Sequence, residues 1–281
     1  MELPENYFAV FETARRYDEG GDLYHAIKLY KKTIRLNPEF ADPYRYLGKI
    51  YSNRKEWKPA FHYWKKCVSL DTDDRNAWWQ MGLAAVGLKK MRVAHSVWTK
   101  FGLDKADTSR PLGLRLKKVD GFEILWMKPL DAARCRIMSI PHPGSKLRFR
   151  QLMMYDRRGE QGYNVVGKRR VPVYDAVDSL KLSPYQTFSC LLHTASEKSV
   201  LQLEKLCQDA GLGFEVWSNA SRMLTLNQEG AFPEYYQDIL PRENNDATLI
   251  AMAALHPAEV ERVLNDWQII SLGQYSDLRA Y

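Results

Sequence analysis

One phrase recurs along the chain. "IKLYKKTIRLNP" from Ile27 to Pro38, "HYWKKCVSLD" from His62 to Asp71 and "AHSVWTKFGLD" from Ala94 to Asp104 follow one another at about 34 residues. A unit of that size cannot bury its own apolar face, so a repeat of this period implies neighbours stacked on one continuous core. Residues 7–108 align without a gap as three rows of 34, beginning at Tyr7, Ala41 and Arg75. Column 8 then holds Ala14, Gly48 and Gly82, and column 20 holds Ala26, Ala60 and Ala94. Large residues fill column 4 (Val10, Tyr44, Trp78) and column 24 (Tyr30, Trp64, Trp98), with Tyr17, Tyr51 and Ala85 at column 11. Pro38 closes the first row at column 32, where Thr72 and Ala106 depart from it.

Small residues at fixed columns let two antiparallel helices approach closely, and an aromatic at column 24 fills the gap to the next row. Each row is therefore predicted to be helix A (about columns 1–14), a tight turn and helix B (about columns 18–31), with Gly20 and Gly21 at the first turn. The pattern resembles the tetratricopeptide repeat, whose signature places small residues at columns 8 and 20 and large ones at 4, 11 and 24.

That resemblance implies a concave wall, lined by helix A, that holds a protein or peptide partner. The family reads its ligands from columns 2, 5, 6, 9, 12 and 13. The partner-binding candidates here are Phe8, Phe11, Arg15, Arg45, Tyr46, Lys49, Trp79 and Leu83. Column 5 (Phe11, Arg45, Trp79) is expected to form a line along the groove, and the mix of aromatics and cations suits an acidic-aromatic segment. The carboxylate clamp of heat-shock co-chaperones wants Lys and Asn at columns 5 and 9 of the first row. Phe11 and Arg15 stand there instead, which disfavours chaperone tails. After Asp107 the chain is broken by Pro111 and Gly113 and offers no capping helix, so the next module is expected to dock on the third repeat near Trp98 and Phe101.

Charge divides the chain into three. Residues 1–110 carry a net +6, residues 111–176 +8 and residues 177–281 −7. The expected domains are a repeat domain (1–110), a basic antiparallel β module (111–176) and a ferredoxin-like α+β module (177–281), giving an α+β chain overall. The middle module shows four short β-type runs, "FEILWM" (122–127), "RCRIMSI" (134–140), "FRQLMMY" (149–155) and "RRVPVY" (169–174). They are separated by "KPLDAA", "PHPGSK" and "DRRGEQGYNVVGK", and suggest a small barrel or curled sheet. Its cations Lys146, Arg148, Arg150, Arg157, Arg158, Lys168, Arg169 and Arg170 form a candidate polyanion patch. The same residues also read as a solvated face or one that meets the acidic C-terminal module.

The last module reads strand, helix, strand twice, with helices at about 196–210 and 257–266 and a possible short helical turn at "PEYYQDIL". His193 and His256 stand at matching strand-to-helix corners, where capping is the simpler account than a site. Asp175 and Asp178 read as turn and cap residues. The run "FRQLMMYD…VPVYDAVDSLKLSPYQTF" resembles the C-terminal region of uncharacterised bacterial tetratricopeptide proteins, which implies a bacterial, soluble setting and no activity.

The four cysteines form no CxxC pair, so free thiols are expected rather than disulfides or zinc. No nucleotide loop, GxSxG or HExxH motif is present, so no cofactor, no metal and no enzyme activity are expected. No apolar run is long enough to span a bilayer and the first residues do not read as a secretory signal, so a cytoplasmic setting is expected. The leading functional reading is a scaffold or adaptor that holds a protein partner in the repeat groove. A nucleic-acid-associated protein using the basic patch comes second, and an enzyme or small-molecule sensor in the C-terminal module third.

Overall fold

The computed structural model describes residues 6–103, 112–118, 121–166, 169–193, 196–217, 223–224 and 247–281. They fall into two compact units, 1–105 and 106–281. No described helix is long and apolar enough to cross a membrane.

The first unit is six helices: α1 (Tyr7–Glu19), α2 (Leu23–Leu36), α3 (Asp42–Asn53), α4 (Trp57–Leu70), α5 (Arg75–Gly87) and α6 (Met91–Lys100). They form three hairpins that repeat atom for atom at the turn. The column 15 amides of Gly21, Lys55 and Lys89 donate to the carbonyls of Asp18, Ser52 and Val86. The next amides, of Asp22, Glu56 and Lys90, donate to Tyr17, Tyr51 and Ala85. Column 15 is left-handed in every row (φ 80°, 58° and 59°), a conformation that suits Gly21 and strains the two lysines.

Close approach explains the small columns. A Cβ on Gly48 would lie 2.7 Å from the Trp64 ring, and one on Gly82 would lie 2.9 Å from the Trp98 ring. A Cβ on Gly87 would likewise collide with the Trp57 ring. Ala14, Ala26, Ala60 and Ala94 are fully buried.

The second unit holds two sheets. Strands β1 (Leu112–Lys118), β2 (Gly121–Pro129), β3 (Arg134–Ile137), β4 (Leu152–Val166) and β5 (Arg169–Lys181) run as an antiparallel meander. β1 and β5 then pair in parallel and close the sheet on itself. The closure has to be parallel, because a meander of five strands returns its last strand in the direction of its first. Leu114, Leu125, Met127, Cys135, Ile137, Met153, Tyr155 and Tyr174 fill the interior. Strand β1 went unseen in sequence, where Gly113 reads as a breaker. Here it gives β1 room beside β5, since a Cβ on it would sit 2.8 Å from Val173 Cγ2. The segment 156–168, expected to be a linker, instead carries β4 on to Val166.

The other sheet contains β6 (Gln186–His193), β7 (Gly213–Val216), β9 (Ala247–Ala254) and β10 (Gln274–Ala280), in the order β10-β6-β9-β7 with every pairing antiparallel. The short β8 (Met223–Leu224) adds to β2 of the first sheet. Helices α7 (Glu197–Asp209) and α8 (Pro257–Ser271) cover one face, over Cys190, Leu192, Ile250 and Met252. The Trp267 indole N–H of α8 donates to the Ser199 carbonyl of α7 at 2.7 Å. Residues alternating with these, Ala251 and Ala253, face the other way and pack on Ile140 and Phe149 of the segment between β3 and β4. The Glu215 carboxylate accepts from the Ile140 amide at 2.8 Å, which ties the two sheets together.

Smaller expectations are corrected here. Asp175 lies within β5 rather than in a turn, and accepts from Arg115 Nε at 2.5 Å. α8 runs five residues beyond its expected end at 266. "PEYYQDIL" lies outside the described residues, as do residues 104–111.

Candidate functional site

Helix A of each row presents one side to a groove of about 500 Å3 on the first unit. Phe11 and Arg15 of α1, Arg45, Tyr46, Lys49 and Asn53 of α3 and Asn76 and Gln80 of α5 line it. The spacing follows from helix geometry: residues three or four apart share a face, so Arg45, Lys49 and Asn53 descend one side of α3.

The groove has an aromatic end. Phe11 is 4% exposed and packs edge-on to Phe40 (5.0 Å) and Tyr46 (5.6 Å), while Tyr46 stacks on Tyr30 at 5.2 Å. Phe8, 51% exposed, continues this cluster outward through Phe11 and Phe40.

Its middle is charged but largely self-neutralised. Arg45 bonds Asp74 through Nε at 2.8 Å, Asp71 through Nη2 at 3.4 Å, and Asp42 of its own helix. Burial alone would raise the Asp74 carboxyl, but the Ala77 amide and the Arg45 guanidinium together hold it below its ordinary value. Arg15 is spanned in the same way by Glu12 at 3.3 Å and Glu19 at 3.0 Å. Lys49 is exposed and has no carboxylate partner among the described residues. The column reading found Arg45 and missed Asp71 and Asp74, because a partner 26 or 29 residues away has no sequence signature.

Two of the expected groove residues are placed elsewhere. Trp79 is fully buried, against Trp98 at 4.9 Å and Phe101 at 5.5 Å, so column 5 does not form a continuous accessible line. Leu83 is 3% exposed, and buried residues lie on every side of α5. A column number fixes the direction of a side chain but not what covers it.

Columns 24 and 12 form a polar rung that the sequence reading did not use. Tyr30 OH donates to Asp18 at 3.3 Å in the first row, and Trp64 Nε1 donates to Ser52 Oγ at 2.9 Å in the second. The third row has Val86 at column 12, and the buried Trp98 Nε1 is left without an acceptor among the described residues.

The basic residues of the second unit are not gathered. Lys146 and Arg148 lie before β4, Arg148 donating to the Ser183 carbonyl at 3.2 Å. Arg150 donates to Tyr185 OH at 3.0 Å. Arg169 and Arg170 pair with Val166 and Val165 at the opposite end of β4 from Leu152. Arg157 and Arg158 lie within β4, and Lys168 is outside the described residues.

The histidines part company. His193 shares a 2.7 Å hydrogen bond with Ser276 Oγ across β6 and β10, whereas the His256 amide donates to Glu259 at the start of α8. All four thiols are buried and free, and burial pushes Cys67 up to about 11 and both Cys190 and Cys207 up to about 12. Such thiols stay protonated and poorly nucleophilic near neutral pH.

No family model matches the chain. A curated relative, the UDP-N-acetylglucosamine–peptide N-acetylglucosaminyltransferase of Giardia intestinalis, is 29% identical over 75 residues, or 27% of this chain and 5% of that protein. Among solved structures, the first TPR of Spaghetti bound to an HSP90 peptide is 19% identical with a TM-score of 0.32, covering 35% of this chain and 78% of that one. MamA is 23% identical with a TM-score of 0.33, covering 35% and 57%. YrrB, described as a TPR protein with an unusual peptide-binding site, is 18% identical with a TM-score of 0.32, covering 34% and 49%. The repeat architecture is established by the turn hydrogen bonds and the glycine contacts of this chain, not by these likenesses.

Proposed function

Since residues 7–100 fold as three tetratricopeptide repeats, we propose that the chain is an adaptor that holds a peptide segment of a protein partner in the groove of its first unit. The observation that carries this is the lining: an aromatic end at Phe11 and Tyr46, then Lys49, Asn53 and Gln80 along an open trough. An apolar anchor suits the first part, while the amides suit the backbone of an extended chain. Arg15 is held by carboxylates of its own helix and Arg45 by Asp42 and the α4–α5 turn, which favours a segment with one acidic residue for Lys49 over a polyacidic one.

The C-terminal module, read as ferredoxin-like from its βαββαβ order, adds a second surface. The basic residues supply no comparable trough, and no transferase activity is proposed from a likeness that spans 5% of the relative.

Peptides selected from a displayed random library on the full chain test the reading. The enriched sequences should carry a large apolar residue and bind Tyr46→Ala and Lys49→Glu about tenfold or more weakly, with the melting temperature nearly unchanged in Lys49→Glu. Enriched peptides that bind both variants as tightly as the parent would sink it.

A further inference from the structure

The second helix of each hairpin carries charge of one sign. Helices α2, α4 and α6 contain lysines and arginines but no aspartate or glutamate. The acids of residues 6–103 all lie on α1, α3 or the connecting turns. On α2 the cations are Lys28, Lys31, Lys32 and Arg35, at columns 22, 25, 26 and 29. Spacings of three, four and seven put them on one stripe, opposite the buried Ala26, Tyr30 and Thr33. Columns 18, 25 and 26 continue that stripe with Lys58, Lys65 and Lys66 on α4, and columns 18 and 26 with Arg92 and Lys100 on α6. Lys32 and Lys66 are half-buried and the others are exposed. None of them lines the peptide groove.

Helix electrostatics alone disfavour this pattern. Lys28 with Lys32, and Lys31 with Arg35, are like charges four residues apart, which repel. Lys58 and Arg92 are the second residues of their helices, where the helix dipole is positive and a cation is unfavourable. Lys28, Lys31, Arg35, Lys58, Lys65 and Arg92 form no ion pair among the described residues. The nearest acids on the same hairpins, Asp22 and Glu56, stand at the helix starts and face His25 and Arg54. Lys55 and Lys89 add exposed cations in the turns before α4 and α6, at the left-handed position that Gly21 fills in the first row. Solubility needs no single sign, because alternating acids and bases serve it and add favourable pairs four residues apart.

We propose that the outer stripes of α2, α4 and α6 bind the phosphate backbone of double-stranded DNA without regard to sequence. The composition of the stripe names the occupant. Within the three helices its columns hold no large apolar residue except Tyr24. A bilayer surface wants an apolar face to bury, a single strand wants aromatics to stack on, and a protein partner wants a central apolar anchor. A duplex backbone wants cations spread over a face, and this surface supplies them on three successive hairpins. The site is separate from the groove, so the first unit has one side for a peptide and another for a nucleic acid.

Fluorescence anisotropy of the full chain with a labelled DNA duplex of about 30 base pairs tests this. The parent should bind with a Kd on the order of micromolar at ~50 mM salt, equally for unrelated sequences. Affinity should fall about 100-fold between ~50 and ~200 mM salt, the slope of about four phosphate contacts. Lys31→Glu combined with Lys65→Glu should weaken binding at least tenfold and make the salt slope shallower by about two. The melting temperature should hold or rise, because Lys31→Glu sets a carboxylate between Lys28 and Arg35 on the same stripe. Lys198→Glu combined with Lys205→Glu, at two exposed positions of α7, makes the same change in net charge and should leave binding intact. Absence of DNA binding at ~50 mM salt overturns the proposal. So does a parent-like Kd in the α2–α4 variant, or an equal loss in the α7 variant. Capture by phosphatidylserine vesicles or duplex RNA in preference to the DNA would also overturn it.

Discussion

The rung between columns 24 and 12 shows how much one atom decides inside a repeat. Trp64 and Trp98 occupy the same column and are both buried, yet one indole N–H meets Ser52 Oγ and the other lies in the row that carries Val86. An unpaired buried donor keeps its full desolvation cost, about 1–3 kcal/mol. Ser52→Ala should therefore destabilise by roughly that amount. Val86→Thr, which offers an oxygen at nearly constant volume, should be neutral or stabilising, although a buried Val→Thr change ordinarily costs stability. Urea titrations of both variants check the pair. A Val86→Thr variant as damaged as Ser52→Ala would show that Trp98 finds its acceptor elsewhere.

At the scale of elements, one helix face serves two purposes. Column 5 supplies a core residue in Phe11, a groove residue in Arg45 and a fully enclosed one in Trp79. Trp79→Ala should cost about 3–5 kcal/mol of stability, as large-to-small core changes do. A melting temperature that scarcely moves would return Trp79 to the groove.

The elements also differ in how well they show in sequence. Helices α1 to α6 repeat a period, and a small residue at column 8 has to face a large one at column 24. Strand β1 has seven residues and a glycine, and only its neighbours β2 and β5 explain why glycine is required there.

Across the first unit, the charge of the groove is set by long-range pairing. Arg45 compensates Asp42, Asp71 and Asp74, so Arg45→Ala leaves three carboxylates close together. The Asp74 carboxyl titrates lower in the folded chain than in the unfolded one. Its contribution is therefore present above the ordinary carboxylate range and lost as pH falls through the folded value. The stability gap between the parent and Arg45→Ala should be widest near neutrality and close as the pH drops toward 3, as thermal melts at several pH values would show. A gap independent of pH would mean that Arg45 acts through packing alone.

What the sequence determined by itself is the register of the repeat. Gly48 and Gly82 must face Trp64 and Trp98 wherever two helices touch at that spacing, because the contact is local and steric. The order strand, helix, strand was legible twice in the last module for the same reason, since periodicity and helix-stop residues act within a few positions. Tertiary structure alone decided which groove residues are available. Lys49 is exposed and Arg45 is neutralised from turns 26 and 29 residues downstream, while Trp79 and Leu83 are buried. It also decided that Arg148 and Arg150 meet Ser183 and Tyr185, while Arg157 and Arg158 fall within β4. Exposure and ion pairing depend on which distant segments arrive beside a residue, and a linear pattern carries no record of that.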